Sequence, residues 1–312
     1  MSSSDWSFDV PDGTVLKGLR WDTKDPRGLV YLVHGLAEHI GRYDAFATAL
    51  NAAGFSVAGH DQRGHGRTAA EDGSLGHFGD YDSWTSMVND ARIGVTARRA
   101  TQPDLPMILF GHSMGSFIVQ QALWSWPVLV NGAVMSASNG PPRTMAGLGR
   151  VIARIERLRL GPRGRSRLIH GLAFDDMNKA FKPNRTEHDW LSRDTRTVDR
   201  YIADPDCGFV ASTASWISLL DALPGLVSSA HVQLVPKGMP VHLASGSRDP
   251  AGDFGKGVER LQAIYKGAGM TDVTLRLYDG ARHEILNETN RDEVTRDLVG
   301  RMAEMLESRA AT

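Results

Sequence analysis

Gly111-His112-Ser113-Met114-Gly115 matches G-x-S-x-G, a spacing that can present a serine hydroxyl as a nucleophile. The apolar run Met107 to Phe110 leads directly into it, and Ser116 to Leu123 continues with helical patterning. A strand, a sharp turn and a helix are the context the motif needs. Such a turn strains the serine backbone and brings strand and helix together, so a side chain at Gly111 or Gly115 would collide. It also sets the Met114 N–H at a helix N-terminus, where unpaired donors and the helix dipole favour an anion.

A serine hydroxyl needs a base, and histidine is the usual one near neutral pH. There are 11 histidines, and His283 stands out by position. It lies in Asp279-Gly280-Ala281-Arg282-His283-Glu284, after the last apolar strand and before the last helix. The acid is expected after the preceding strand, in Ala244-Ser245-Gly246-Ser247-Arg248-Asp249-Pro250. Asp249 sits closest to the strand end, and Asp253 is its competitor. A buried carboxylate there would fix the histidine tautomer and stabilise the imidazolium. The order Ser, Asp, His suits a strand–helix sheet enzyme of this kind. His34-Gly35-Leu36-Ala37 closes the first buried strand, and its Leu36 N–H is the second oxyanion donor beside Met114. His34 and Gly35 shape that loop.

The elements that must position these groups follow from patterning. Trp6, Phe8 and Val10, then Pro11-Asp12-Gly13, then Val15, Leu16 and Leu19 read as a β-hairpin. Gly28 to Val33 is continuously apolar, as in a strand buried on both faces. Further strands are predicted at 55–59, 107–110, 132–135, 241–244 and 273–278, with helices at about 44–53, 84–97, 114–124, 257–266 and 291–307. The alternation predicts an α/β fold with a mostly parallel sheet covered on both faces. Residues 138–235 break it, with helical patterning and no convincing strand. The chain is therefore divided into a first core half at 1–137, a helical cap at 138–235 and a second core half at 236–312. The cap is expected over the C-terminal edge of the sheet, where ligands bind in open α/β folds.

Four stretches resemble the monoacylglycerol lipase and lysophospholipase branch of the α/β-hydrolases. They are Val33-His34-Gly35-Leu36-Ala37-Glu38-His39 with Gly41-Arg42-Tyr43, then Asp61-Gln62-Arg63-Gly64-His65-Gly66, then Gly111 to Gly115, then Ser247 to Pro250 through Asp279 to His283. The resemblance implies the α/β-hydrolase fold, a lid, esters of medium or long acyl chains, and no metal or organic cofactor. Carried over, it makes Ser113, Asp249 and His283 the triad and the Leu36 and Met114 amides the oxyanion donors. Ala37 stands where many lipases of this kind have a second glycine, and its methyl is expected to narrow the acyl side. The Arg63 to Gly66 loop is read as structural, with His65 hydrogen-bonded inside it.

Composition bounds the rest. The chain has 312 residues, 41% of them hydrophobic, and a formal net charge of -1, which gives no field for nucleic acid. One cysteine, Cys207, excludes an internal disulfide and fits a reducing compartment. The first twelve residues lack the features of a secretory signal, and no apolar run is long enough to span a bilayer, so a cytoplasmic location is expected. The Arg-rich stretch 150–167 has two readings. It is a surface that meets anionic lipid, or a solvated face paired with acids such as Asp175, Asp176 and Glu187. Trp190, Trp216 and Phe209 are cap core or tunnel lining, and Cys207 is a small hydrophobe or a pocket contact. Three functions are carried forward: a serine ester hydrolase acting on monoacylglycerol-like or lysophospholipid-like substrates, a serine aminopeptidase or small-ester or thioester hydrolase, and a non-catalytic binding module. Proline iminopeptidase-like enzymes usually carry tryptophan where Met114 stands. Dehalogenases and epoxide hydrolases of this fold need an aspartate nucleophile, which the serine excludes.

Overall fold

The structure, a computed structural model, describes residues 2–140 and 145–310. Residue 1 and residues 141–144 of the expected cap lie outside the described residues. Eight strands form one sheet: β1 Ser4–Asp9, β2 Val15–Trp21, β3 Gly28–Val33, β4 Phe55–His60, β5 Met107–His112, β6 Gly132–Ser136, β7 Val241–Gly246 and β8 Val273–Tyr278. Their spatial order is β1-β2-β4-β3-β5-β6-β7-β8. The first hairpin and the β2–β4 pair are antiparallel, and every other pair is parallel.

The helices are α1 Asp44–Ala52, α2 Gly66–Asp72, α3 Ser83–Ala100, α4 Met114–Ser125, α5 Met145–Leu160, α6 Arg167–Phe174, α7 Thr195–Ala203, α8 Thr213–Ala222, α9 Ser229–Gln233, α10 Lys256–Gly267 and α11 Arg291–Ala310. The period of two along β3 sorts the core. Leu29, Tyr31 and Val33 pack with Trp84 and Met87 of α3, Ile118 and Val119 of α4, and Leu261 and Tyr265 of α10. Val30 and Leu32 point the other way, toward Phe46 and Leu50 of α1 and Val294, Leu298 and Met302 of α11. The apolar runs in β3 and β5 are thus explained, since both faces of each strand are buried, as they are in β4.

The α2 helix was not foreseen. The turn read at Arg63 to Gly66 continues into it, and Asp61 organises the change. Its carboxylate accepts from the Arg67 N–H at 3.1 Å and from the Ile40 N–H at 2.8 Å. His65 Nδ1 bonds the Arg63 carbonyl at 2.8 Å, inside the turn. Between β6 and β7 the described residues hold α5 to α9 and short 3-10 turns, with a single isolated bridge, Arg165 to Ser212.

The ends of β3 and β5 meet the start of α4 with no room for a side chain. A Cβ on Gly115 would overlap the carbonyl oxygens of Val33 and His34, and one on Gly111 would meet Gly115 O at 2.6 Å. Backbone atoms cannot retreat as a flexible side chain can. Gly115→Ala is therefore expected to lower unfolding stability by about 1–3 kcal/mol, read as a lower urea midpoint at an unchanged slope.

Candidate active site

Ser113 sits between β5 and α4 at φ +50 and ψ -119, a conformation costly for any residue with a side chain. Hydrogen bonds hold it there. Its N–H donates to the Ser136 carbonyl at 3.0 Å. Its own carbonyl accepts from the Ser116 N–H at 2.9 Å and from Ser116 Oγ at 2.6 Å. Ser116 Oγ also lies 2.8 Å from Ser138 Oγ, which accepts from Gln120 Nε2 at 2.9 Å. The sequence reading had not singled out this buried Ser116–Ser138–Gln120 set. Met114 opens α4, so its N–H is among the donors that a helix leaves unpaired.

The second group comes from the ends of β7 and β8. A Cβ on Gly246 would overlap the Ala281 and Arg282 carbonyls, so the loop after β8 lies directly on the loop after β7. The Arg248 N–H donates to the Ala281 carbonyl at 2.9 Å. Across this contact His283 Nδ1 donates to the Asp249 carboxylate, 3.0 Å from each oxygen. Asp249 is fully buried and also accepts from the Ala251 N–H at 2.9 Å. The competitor Asp253 instead pairs with Arg260 at 2.9 Å. Burial alone would disfavour the His283 imidazolium. The Asp249 charge and hydrogen bond, helped by Glu284 and Glu38, outweigh it, so the His283 pKa lies above 6.5. His112 is the contrast. Burial, reinforced by the nearby His283, holds it down to about 4. The two rings lie 4.9 Å apart.

The third group is the loop after β3. His34 is buried, and burial lowers its pKa. Its Nε2 accepts from the Gln62 N–H at 3.0 Å, which leaves Nδ1–H to donate to the Gly35 carbonyl at 2.8 Å. A Cβ on Gly35 would come 3.3 Å from Ser113 Cβ, so this loop lies against the serine. Ala37 adopts φ +57, and its carbonyl accepts from the Gly208 N–H and from the Tyr201 hydroxyl, each at 3.0 Å.

A buried ion network joins the groups. Glu38 accepts from the Gly35 N–H at 2.6 Å and the Tyr43 hydroxyl at 2.8 Å. Arg42 donates to Glu38 at 2.7 Å and, through two nitrogens, to both oxygens of Glu284 at 2.7 Å each. Burial would raise the Glu38 pKa, but Arg42 and the Gly35 N–H pull it below the ordinary carboxylate range. Glu38, Arg42 and Tyr43 were quoted in the sequence only as resembling stretches. No local pattern could show that Glu284, 242 residues from Arg42, completes the set.

Ser113, Met114, Leu36, Ala37 and His283 all border one cavity of about 790 Å³, while Asp249 lies behind His283. Phe117, Phe174, Trp216 and Leu219 make an apolar wall, and Asn178, Arg185, Thr186, Glu187 and His188 make a polar one. Trp190, Trp216 and Phe209 are thus lining residues, and the two tryptophans are also buried. Cys207 packs with the Trp190, Leu191 and Tyr201 cluster, and burial pushes its thiol pKa up. The ligating atoms of His39, Asp204 and Cys207 lie within 4.8 Å of one another. His39 and Asp204 bond to each other at 3.0 Å.

The arginines of 150–167 find partners other than Asp175, Asp176 and Glu187. Arg150 and Arg154 pair with Asp221, Arg159 with Glu156 and Arg163 with Asp80. Arg165 donates to the Val210 and Leu75 carbonyls. The stripe of Val151, Ile155 and Leu158 faces outward, with Leu158 90% exposed.

Removing one partner from a buried ion pair leaves an uncompensated charge, which typically costs about 3–5 kcal/mol. Arg42→Met strands two carboxylates and is expected to lose at least that much. Arg42→Met/Glu38→Gln/Glu284→Gln should recover most of it in the same urea titration.

The chain is 29% identical over 282 residues to a monoacylglycerol lipase of Mycolicibacterium smegmatis, covering 88% of this chain and 87% of that one. It is 30% identical over 283 residues to the monoglyceride lipase of Mus musculus, covering 89% and 82%. A thermostable carboxyl esterase from Bacillus coagulans superposes with a TM-score of 0.90 at 27% identity, over 98% of this chain and 99% of that one. A monoglyceride lipase from Saccharomyces cerevisiae shares the fold, with a TM-score of 0.76 at 21% identity over 98% and 95%. The profile described as serine aminopeptidase, S33 matches residues 24–290, and the chain belongs to that family, on the α/β-hydrolase fold.

Proposed function

We propose that this protein hydrolyses carboxylic esters of monoacylglycerol-like or lysophospholipid-like amphiphiles through an acyl-enzyme on Ser113. The observation that carries the reading is the convergence on one cavity of a strained serine, a histidine backed by a buried aspartate, and the start of a helix. Ser113 Oγ attacks the ester carbonyl as its proton passes to His283 Nε2. Asp249, bonded to Nδ1, fixes the tautomer and stabilises the imidazolium. The oxyanion rests on the Leu36 and Met114 amides. The alcohol leaves with the proton from His283, and water repeats the sequence on the acyl-enzyme.

Residues 138–235 act as the cap. The acyl chain lies along Phe117, Phe174, Trp216 and Leu219, and the polar wall receives the leaving alcohol. The Ala37 methyl, bordering the same cavity, limits the space beside the carbonyl. The ester reading is favoured over an aminopeptidase by the apolar part of the lining, Phe117, Phe174, Trp216 and Leu219, which suits an acyl chain. Glu38 and Glu284 of the same lining are already engaged by Arg42. A lipid surface is the source of the substrate. Leu168 and Leu172 of α6 are exposed, while His170, Ala173 and Phe174 of the same helix line the cavity. The exposed leucines of α5 and α6, rather than the paired arginines, make that contact.

Ser113→Ala is expected to reduce hydrolysis of p-nitrophenyl esters by about a millionfold. Equal rates in both proteins would leave only a binding module. Hydrolysis of a prolyl arylamide above that of the esters would move the reading to an aminopeptidase.

The pH dependence has a definite sign. The base must be neutral, and the His283 pKa is raised, so the acidic limb of kcat/KM should fall above pH 6.5. Asp249→Asn removes the charge that opposes burial. The limb should then move to lower pH, and kcat should drop about 10⁴-fold.

Val151→Ser/Ile155→Ser/Leu158→Ser should slow hydrolysis of monoacylglycerol presented in vesicles and leave p-nitrophenyl butyrate hydrolysis unchanged. Parallel loss on both substrates would remove the surface role.

A further inference from the structure

Residues 189–194, between α6 and α7, lie along the loop that carries His283 and are bonded to it at every step. The Glu284 N–H donates to the Leu191 carbonyl at 2.8 Å and the His283 N–H to the Trp190 carbonyl at 3.4 Å. The Trp190 ring stands 4.9 Å from the His283 ring. The Arg282 guanidinium donates to the Asp189 and Ser192 carbonyls and lies 4.0 Å over the Phe181 ring. Ser192 Oγ donates to the Asn287 carbonyl at 2.8 Å.

One carboxylate gathers these strands of contact. Glu288 is fully buried, five residues beyond His283. Its Oε1 accepts from the Arg193 N–H at 3.0 Å and the Arg282 N–H at 2.9 Å. Its Oε2 accepts from Arg193 Nε at 2.8 Å and the Thr289 N–H at 2.9 Å. Arg193 reaches on to Asn290 Oδ1 at 3.0 Å. A buried carboxylate is costly unless its lone pairs are filled and its charge is met. Here the filling groups come from both sides, Arg193 from the segment between β6 and β7 and Arg282 and Thr289 from the histidine loop. Asp249 fixes one nitrogen of His283, and the Glu288 node fixes the backbone on which the ring is carried.

We propose that Arg193 and Glu288 are positioning residues for His283: their ion pair fastens the 189–194 segment to the histidine loop, and this fastening sets the angle at which the imidazole meets Ser113. The proposal rests on the serine-hydrolase reading above. Neither residue borders the cavity that holds Ser113, so their effect is transmitted through the Trp190 and Leu191 carbonyls and the Trp190 ring. Charge alone is insufficient, because the Arg193 guanidinium donates through Nε to Glu288 and through a terminal nitrogen to Asn290 Oδ1. A lysine keeps the charge and the backbone N–H bond to Glu288 but cannot make both side-chain bonds in that fixed geometry.

The experiment compares wild type with Arg193→Met, Arg193→Lys, Glu288→Gln, the Arg193→Met/Glu288→Gln pair and Ser192→Ala, using p-nitrophenyl butyrate across pH. Each variant is measured below its own melting temperature. The expected result is a ten- to hundredfold fall in kcat for Arg193→Met and Glu288→Gln, with KM changed less than threefold. The acidic limb should shift toward lower pH as the hold of Asp249 on the ring loosens. The double variant should lose no more than the worse single one, and Arg193→Lys should recover part of the loss. Ser192→Ala removes one tie and leaves the buried charge paired, so it keeps the question answerable if Glu288→Gln fails to fold; it should lower kcat severalfold. Variants that melt earlier but keep wild-type kcat and an unmoved limb would overturn the proposal and leave a purely structural ion pair. Ser113→Ala, run alongside, separates the two levels: if it retains activity, the hydrolase reading fails first.

Discussion

Four chain segments far apart in sequence are pressed together in two pairs at the C-terminal ends of the parallel strands, and backbone atoms form the contacts. Val33 and His34 carbonyls touch the position of Gly115, Gly115 O touches that of Gly111, and Ala281 and Arg282 carbonyls touch that of Gly246. Where backbone meets backbone there is no side chain to repack, so the geometry is set within tenths of an ångström. The Ser113 strain is sustained by this closeness and by the Ser136 and Ser116 hydrogen bonds. Everything attributed to the cavity depends on it.

Around that contact the charges are arranged in closed groups. Arg42 answers Glu38 and Glu284 between the loop after β3 and the histidine loop. Arg193 answers Glu288 farther along the same loop. Asp249 answers His283 from beneath. Buried ion pairs add little to net stability, yet breaking one is expensive, and their directional hydrogen bonds fix a register that apolar packing would leave loose. The histidine loop carries little apolar anchorage beyond Ala281 and Ile285, so polar bonds hold it in place.

The helical segment between β6 and β7 has an outer and an inner side. Its inner aromatic groups run Trp216, Phe174, Trp190 at centroid spacings of 5.9 and 5.8 Å, and Trp190 ends against His283. Its outer side bears leucines that no described residue covers, while its arginines are spent on local acids. The apolar lining of the cavity and the His283 ring are therefore in contact.

What the sequence determined by itself was whatever is encoded locally. Period-two and continuous apolar runs marked the strands, because burial on one or two faces leaves a pattern within a few residues. The G-x-S-x-G turn was legible because steric exclusion at two fixed positions demands glycine, and His283 and Asp249 were legible from their places after strands. The α2 helix was missed because its seven residues carry no apolar stripe and lean on the Asp61 carboxylate, which lies outside the helix. Only the tertiary structure decided which acid answers which base. It gave the arginines of 150–167 to Asp221, Glu156 and Asp80, and joined Arg42 to Glu284 and Arg193 to Glu288. The physical reason is that a charge pair is selected by distance and by the water excluded around it, and neither quantity is written in the spacing of residues along a chain.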